Sequence, residues 1–398
     1  MLKVRELAYH PIVQAAGRVA LVVLIGALGL GLGLILVSPD WPLAVTLVGL
    51  SAILLLVFMD PLDGFLAWMV LAPYARFIYL DIKLGRGIPD LGLTRLCAGL
   101  LTLIILAQMA RRQRQPLPIN WIDVMALAFG VGLIISAFSA FVGPISAVQT
   151  VVDFFGIPML IYYLARHLVR RPQDLERALT AMLIIGAYLA ALTTHEQLTG
   201  VVLFRGGDWG TRYSPHIRKV IGLLGNPASM GTAQAVLLPF AAYTGLYGSS
   251  PTRRWAGRLV TLMLLVGIGM TYVRAAWLAA LVALLIFGVY DRRLRRVVLP
   301  AYLIVALLVF LFWGALSQSW VVRERLSSYR PIEYRLTAFS LTWRMIAHNP
   351  LFGIGYGNFG RAAMRLYGWD PDRNIYVDPS PHNTFLFILA SGGFVALL

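Results

Sequence analysis

The sequence predicts an all-α fold, a polytopic transmembrane helical bundle of about twelve spans, and three observations favour it. Of the 398 residues, 59% are hydrophobic and only 13% are charged, whereas soluble domains have roughly twice that charged fraction. The mean hydropathy is +0.75. Apolar runs recur along the chain, and about 20 apolar residues suffice to cross a hydrocarbon core. A soluble core cannot accommodate this much apolar sequence.

The predicted spans follow the apolar runs in chain order. The first run has no small-residue cleavage site, so we interpret it as a retained span and not as a signal peptide. The third is interrupted by Pro73 and contains Arg76, and the twelfth extends to Leu398. The predicted spans cover residues 18–37, 43–59, 64–80, 93–110, 122–142, 147–165, 178–198, 228–247, 258–272, 275–290, 297–317 and 383–398.

The formal charge of +16 would suggest a nucleic-acid partner in a soluble protein, but here short loops contain many of the basic residues. Anionic lipid and the positive-inside rule explain those, so we predict no nucleic acid and a lipid bilayer as the partner. A cytoplasmic N-terminus puts every dense basic cluster inside, and both chain ends are then cytoplasmic. The clusters lie at residues 111–114, 166–177, 253–258 and 292–296.

Two segments predicted on the outer side are basic, although the positive-inside rule does not require basic residues there. The loop at residues 199–227 contains Arg205, Arg212 and Arg218, and the segment at residues 317–381 contains eight arginines. Five acidic residues in the longer segment allow ordinary surface ion pairs. The alternative interpretation is an anionic ligand at the outer membrane face, for which guanidinium groups are suited.

Arg274 lies between two apolar arms of 22 to 24 Å, which predict a tight helical hairpin. A charge held close to membrane depth usually marks a ligand or a partner, although the side chain could instead reach the outer interface. Farther along, Arg335, either Ala338 or Phe339, and Thr342 fall on one face of a predicted amphipathic helix that ends at residues 348–350.

Glycines at 353, 355 and 357 follow that helix and predict a turn whose backbone approaches a ligand or a neighbouring helix closely.

His382 opens the last predicted span. A histidine there can take a proton from a hydroxyl, or it can be a helix-capping or interfacial residue. Asn226 precedes Pro227, a pair that favours a helix cap. The only cysteine, Cys97, excludes cysteine metal clusters, and we predict no catalytic metal.

These motifs together resemble the bacterial O-antigen ligase and O-antigen polymerase family. The resemblance covers roughly residues 200–398 by motif and the first half only by span pattern. It depends on residues 225–227 at the start of a span, Arg274, the stretch from Arg335 through Trp343 to Pro350, the glycine turn at residues 353–359, and residues 381–383 with the apolar and glycine positions that follow.

The resemblance implies a glycosyltransferase of the C-type fold that takes a glycan from undecaprenyl diphosphate at the periplasmic face, without metal, nucleotide sugar or other cofactor. It implies a bacterial inner-membrane protein with a bundle over residues 1–317, a periplasmic segment with short helices over 318–381 and a last span over 383–398. Arg274, Arg335 and His382 are the expected catalytic residues. Diphosphate and glycan binding is expected of the residues Arg205, Arg212, Arg218, Asn226, Arg344 and Asn383.

In this interpretation the arginines bind diphosphate and stabilise the leaving group, while His382 deprotonates the acceptor hydroxyl. Direct displacement inverts the anomeric configuration. A polymerase passes the glycan to another lipid-linked repeat and is slightly favoured, whereas a ligase passes it to lipid A core. The alternative from another class is a transporter or a flippase for lipid-linked glycans, but no repeated halves are visible.

Overall fold

The computed structural model describes residues 41–77, 81–82, 91–138, 144–203, 218, 220–319, 330–367, 369–370, 375–376 and 381–396. The first predicted span, at 18–37, lies outside the described residues. So do two of the expected binding residues, Arg205 and Arg212.

The described residues form an all-α structure, as the sequence predicts. The α-helices are α1 (Trp41–Met59), α2 (Pro61–Leu71), α3 (Leu93–Ala110), α4 (Trp121–Ala137), α5 (Pro144–Val151), α6 (Ile157–Leu168), α7 (Pro172–Thr199), α8 (Pro227–Tyr247), α9 (Pro251–Met270), α10 (Arg274–Tyr290), α11 (Arg292–Leu311), α12 (Trp313–Gln318), α13 (Arg330–His348), α14 (Phe359–Tyr367) and α15 (Thr384–Gly392).

The remaining regular elements are short. A π-helical turn, Val152–Gly156, joins α5 to α6, and 3₁₀ helices occupy Ala72–Phe77 and Phe394–Ala396. Four strands of two residues each form two antiparallel pairs, β1 (Asp81–Ile82) with β2 (Leu91–Gly92) and β3 (Trp369–Asp370) with β4 (Ile375–Tyr376). The helix α2 gives way to the 3₁₀ turn just before Pro73, where the sequence predicts an interrupted span, because proline cannot continue an α-helix hydrogen-bond ladder.

Several helices have the length and hydropathy of a membrane span. Within the described residues four stretches meet both criteria, namely Leu93–Ala110, Ile145–Leu168, Pro172–Thr199 and Arg292–Leu311. Shorter apolar helices are Val48–Met59, Trp121–Ala137 and Arg274–Tyr290. The chain is therefore a helical membrane protein, while the number of twelve spans remains a prediction.

The helices α7 to α10 form the most closely packed group. Their shared core contains Leu189, Leu238 and Leu264, all at most 1% exposed. The helices α8 and α9 cross where glycines face each other, since a Cβ added to Gly257 would lie 2.3 Å from the backbone nitrogen of Gly245. Small residues at such a crossing let helix backbones approach, which is how membrane helices gain packing contacts.

A second core joins α1, α2, α3 and α6 around buried side chains that include Trp68 and Leu101, and α7 also contacts it through Ala181. A third group consists of α4, α5, α13, α14 and α15. Within it α13 packs against α15, which in turn packs against α4 and α14. This third group includes the glycine turn and the last helix.

As predicted, residues 271–273 form a turn between α9 and α10. The two arms do not pack closely on each other as a tight hairpin requires, because α10 packs chiefly against α8 and α11. The helix α9 differs in one respect, because it begins at Pro251 instead of residue 258. The additional residues, 251–257, include the charged Arg253 and Arg254. The apolar part of the helix therefore keeps its predicted length. Arg274 is the first residue of α10 and is half-buried.

The last helix is shorter than predicted. The sequence predicts a span from 383 to 398, but α15 ends at Gly392 and the chain turns at Gly393, whose φ is +67°. Nine helical residues extend only about 13 Å. Backbone N–H groups of Phe394 and Val395 then bond to the carbonyls of Pro350 and Leu351, at 2.9 and 3.2 Å. The helix stops because the chain pairs with the glycine turn instead of continuing.

Candidate active site

The glycine turn between α13 and α14 packs directly on the end of α15. Gly353, Gly355 and Gly357 all have positive φ, a conformation that glycine adopts without strain. The N–H groups of Ile354 and Gly355 donate to the carbonyls of Ala390 and Ser391, at 2.9 and 3.0 Å. The predicted close approach is thus to a neighbouring helix.

The first half of the chain supports this turn from the other side. The Ser136 hydroxyl on α4 donates to the carbonyl of Ser391 at 2.7 Å and accepts from the backbone N–H of Tyr356 at 3.2 Å. Gly357 packs against α5, since an added Cβ would lie 3.3 Å from the Thr150 hydroxyl. The sequence motifs gave no indication that α4 and α5 contribute here.

His382 lies immediately before the N-terminus of α15 and is exposed. The cap of this helix is Asn383, whose side-chain oxygen accepts from the N–H of Leu386 at 3.1 Å. The interpretation of His382 as the capping residue is therefore wrong. His382 has a φ of +47°, and a non-glycine residue there costs on the order of 1–3 kcal/mol, a strain that clusters at functional sites.

The helix α13 is amphipathic, as predicted. Ala338 and Thr342 are buried on its inner face, whereas Arg335 and Arg344 are exposed. Seven positions separate Arg335 from Thr342, which at 100° per residue keeps the two on one side of the helix as predicted, although the Arg335 side chain is exposed. Nine residues separate the two arginines, which at 100° per residue puts them on opposite sides of the helix. The helix does not bring Arg335 and Arg344 to one surface.

Glu196 anchors the loop that precedes α8. This carboxylate is 2% exposed and accepts from the N–H groups of Ile221 and Gly222, at 2.8 and 3.0 Å. The neighbouring Gln197 donates its Nε2 to the carbonyl of Arg218 at 2.8 Å. Two consecutive side chains at the end of α7 thus bind the same loop.

Arg218 is half-buried against Gly200, the left-handed residue that ends α7. Its buried Nε has no hydrogen-bond partner among the described residues. Asn226 caps α8, since its side-chain oxygen accepts from the N–H of Ala228 at 2.7 Å. The prediction of a cap at Asn226 is confirmed.

The turn between α9 and α10 is fixed by two side chains next to Arg274. The Thr271 hydroxyl and the Trp277 indole both donate to the carbonyl of Ile268, at 2.7 and 3.0 Å. Tyr272 has a φ of +53°. These bonds hold the chain reversal and with it the position of Arg274 at the start of α10.

The helix packing gathers the described candidate residues into two sets. Arg218, Asn226 and Arg274 lie at one end of the α7–α10 group, where α7 and α9 end and α8 and α10 begin. The other set lies on α13 and just before α15, with the members Arg335, Arg344, His382 and Asn383. Among the principal helix contacts of the described residues, none joins the two sets directly.

An ion pair that the motifs did not reveal includes Asp153, which follows the residues Thr150 and Val151 that pack against the glycine turn. Arg95 on α3 binds Asp153 in the π-helical turn through both Nη2 and Nε, with its shortest distance at 2.6 Å. The side chains are 23% and 33% exposed. A signal was present, because each is the only charge in its predicted span. For metals, no cluster of three His, Cys, Asp or Glu occurs in the part of the chain that the structure describes.

Fold and site define an integral membrane protein with arginines and one histidine at helix ends. Residues 259–398 match the protein-family model described as O-antigen ligase, so this part of the chain is similar to that family. The match confirms the resemblance predicted from the motifs and includes Arg274, Arg335 and His382. The family implies a glycosyl-transferring enzyme with a lipid-linked glycan and an acceptor as substrates. No curated protein and no solved structure matches the chain.

Proposed function

We propose that the chain is a metal-independent, inverting glycosyltransferase that moves a glycan from undecaprenyl diphosphate to an acceptor hydroxyl. The reaction takes place at the periplasmic face of the bacterial inner membrane. The observation that supports this most directly is the exposed His382 before a capped helix, inside the region of the family match. A general base must reach its substrate and be held by a firm support, and α15 is bound to the glycine turn by two hydrogen bonds.

His382 takes the proton of the acceptor hydroxyl as that oxygen attacks the anomeric carbon. The bond from this carbon to the diphosphate breaks, and the diphosphate leaves with the bonding electron pair. Arginines stabilise the charge that grows on it, because a guanidinium can form two hydrogen bonds to a phosphate. We assign this to Arg274 and Arg335, with Arg205, Arg212, Arg218 and Arg344 as further binding residues.

Asn226 and Asn383 are proposed to contact the glycan. Each already uses its side-chain oxygen as a helix cap, so its contribution to a sugar hydroxyl is the Nδ2 donor. The two sets of candidate residues must both reach the donor in this mechanism. In the proposed topology the segment at residues 318–381 is periplasmic and joins the bundle of residues 1–317 to α15, so both sets face the periplasm.

A polymerase that passes the glycan to a second lipid-linked repeat is slightly favoured over a ligase that passes it to lipid A core. Both acceptors offer a hydroxyl to the same base. A transporter or flippase is disfavoured because its polar residues are expected near the midplane, whereas Arg218, Asn226 and Arg274 lie at helix ends.

The test measures donor affinity and turnover separately in purified variants. His382→Asn is preferred over alanine because asparagine tolerates the positive φ of this position. It should keep donor affinity and lower turnover by a factor on the order of 100 to 10,000. Arg274→Lys and Arg335→Lys should weaken both, since lysine lacks the planar fork.

Arg361→Lys on α14 is the matched control, because Arg361 is also exposed and lies in the same family region. Addition of a chelator should not lower the turnover of the wild-type protein or of any variant further. If His382→Asn lost donor binding but kept the rate of bound substrate, the histidine would not be the base.

A further inference from the structure

A groove runs between α4 and the stretch formed by α5, the π-helical turn and α6. Its volume is about 410 Å³, within the range of about 300–1,000 Å³ of small-ligand pockets. The lining is almost entirely apolar and includes Leu127, Val131, Val152 and Met159. A groove of this composition fits a hydrocarbon chain and offers nothing to a sugar or a phosphate along its middle.

The groove exists because of the π-helical turn and two glycines. Gly156 ends that turn and is part of the lining, and Gly130 faces it from α4. A Cβ on Gly130 would lie 2.7 Å from the ring of Phe155, so only glycine lets this ring settle against α4. A π-turn inside an α-helix is rare and frequently occurs at functional sites.

The groove follows the helix axes. From Asp123 to Ile134 it extends eleven residues along α4, which is about 16 Å, or half of a hydrocarbon core of about 30 Å. At one end lies the ion pair of Asp123 with Arg166, at 2.7 Å. The groove thus has the direction of a lipid chain in a bilayer and is closed by charge at this end.

The other end reaches the candidate active site. Val151 lines the groove and packs in one cluster with Tyr356 of the glycine turn and Ile388 of α15. The next residues along the chain are Val152, also in the lining, and Asp153 of the ion pair with Arg95. An apolar path therefore leads from the glycine turn and α15 along the groove to the ion pair of Asp123 and Arg166.

We propose that this groove holds the isoprenoid chain of the lipid-linked glycan donor, with the diphosphate beyond the Val151 end. The inference rests on the proposed function and adds the subsite that recognises the lipid. Continuity with the glycine turn favours this occupant over a bulk acyl chain, because a donor bound at the active site must have its chain leave by an apolar path. The charge at Asp123 and Arg166 limits how far that chain extends.

The test narrows the groove at a point that only a long chain reaches. Ala126→Trp fills the groove eight residues below Ile134, and Ala128→Trp is the matched control, since Ala128 is exposed on the same helix but is not part of the lining. The substrates are one glycan carried on undecaprenyl diphosphate and on the short geranyl diphosphate. Ala126→Trp should raise the KM of the long donor on the order of tenfold and leave kcat and the short donor unchanged.

Equal KM changes for both donors, or no change for the long donor, would overturn the proposal. Ala128→Trp should behave as wild type with both. Absence of any transfer by the wild-type protein would instead refute the proposed function, which keeps the two failures distinguishable.

A second measurement on the wild-type protein decides the case in which Ala126→Trp does not fold. A photoactivatable undecaprenyl diphosphate should label α4 or α6, and unlabelled undecaprenyl diphosphate should compete. Equal competition by bilayer phospholipid would mean that the groove binds any acyl chain, and the proposal would be wrong.

Discussion

Gly353→Ala should lower the free energy of unfolding by about 2–5 kcal/mol. Gly353 has a φ of +66°, and alanine in this left-handed conformation costs roughly 1–2 kcal/mol. Its Cβ would also lie 2.4 Å from the carbonyl carbon of Ser391. Backbone cannot rotate away, so the turn must shift and weaken the bonds of Ile354 and Gly355 to α15, each worth about 0.5–1.5 kcal/mol.

The measurement is a denaturant titration in detergent micelles together with the rate of glycan transfer. Gly99→Ala is the control, because nothing lies within 4 Å of a Cβ at this position on α3. It should leave stability unchanged or raise it by up to about 1 kcal/mol, as alanine is the better helix former. If Gly353→Ala were as stable and as active as Gly99→Ala, the turn would not hold α15.

Three further predictions concern side chains with defined partners. Glu196→Ala should destabilise the protein by about 2–6 kcal/mol in the same titration, because two buried N–H groups lose their acceptor at about 1–3 kcal/mol each; Glu196→Gln should cost less. Asn226→Ala should lower the free energy of unfolding by about 0.5–2 kcal/mol, and Asn226→Asp should restore the cap. Asn226→Asp should restore donor affinity only if the Nδ2 group does not donate to the glycan. A double-mutant cycle of Arg95→Ala and Asp153→Asn should give a coupling free energy of about 0.5–3 kcal/mol, which partial exposure keeps toward the lower end.

Each of these has an outcome that contradicts it. A Glu196→Gln variant less stable than Glu196→Ala would mean that the carboxylate is not the loop anchor. An Asn226→Asp variant as unstable as Asn226→Ala would remove the cap. A coupling free energy of zero would show that Arg95 and Asp153 contribute independently.

Local sequence signals predicted the helices, the turn before Arg274 and the cap at Asn226, because caps and apolar periodicity are properties of neighbouring residues. The end of α15 at Gly392 was not predictable in this way. It depends on pairing with Pro350 and Leu351, which lie far away in the sequence.

The candidate site shows the same division. His382 and the glycine turn form local motifs, and the family match covers them. Glu196 and Ser136 bind backbone groups that lie elsewhere in the chain, which no spacing reveals. Arg95 and Asp153 are intermediate, since two single charges of opposite sign in separate predicted spans indicate a pair but not its geometry.

The hydrogen bonds between the glycine turn and α15 have a consequence for how the protein is made. A nine-residue helix is too short to enter a bilayer alone, and its C-terminal carbonyls would face hydrocarbon without partners. Synthesis delivers α4, α5 and the glycine turn before α15, so the partners of Ala390 and Ser391 exist when the helix emerges. The segment that follows His382 therefore docks into assembled protein and does not insert into lipid as an independent unit, so formation of the site depends on the prior assembly of α4, α5 and the glycine turn.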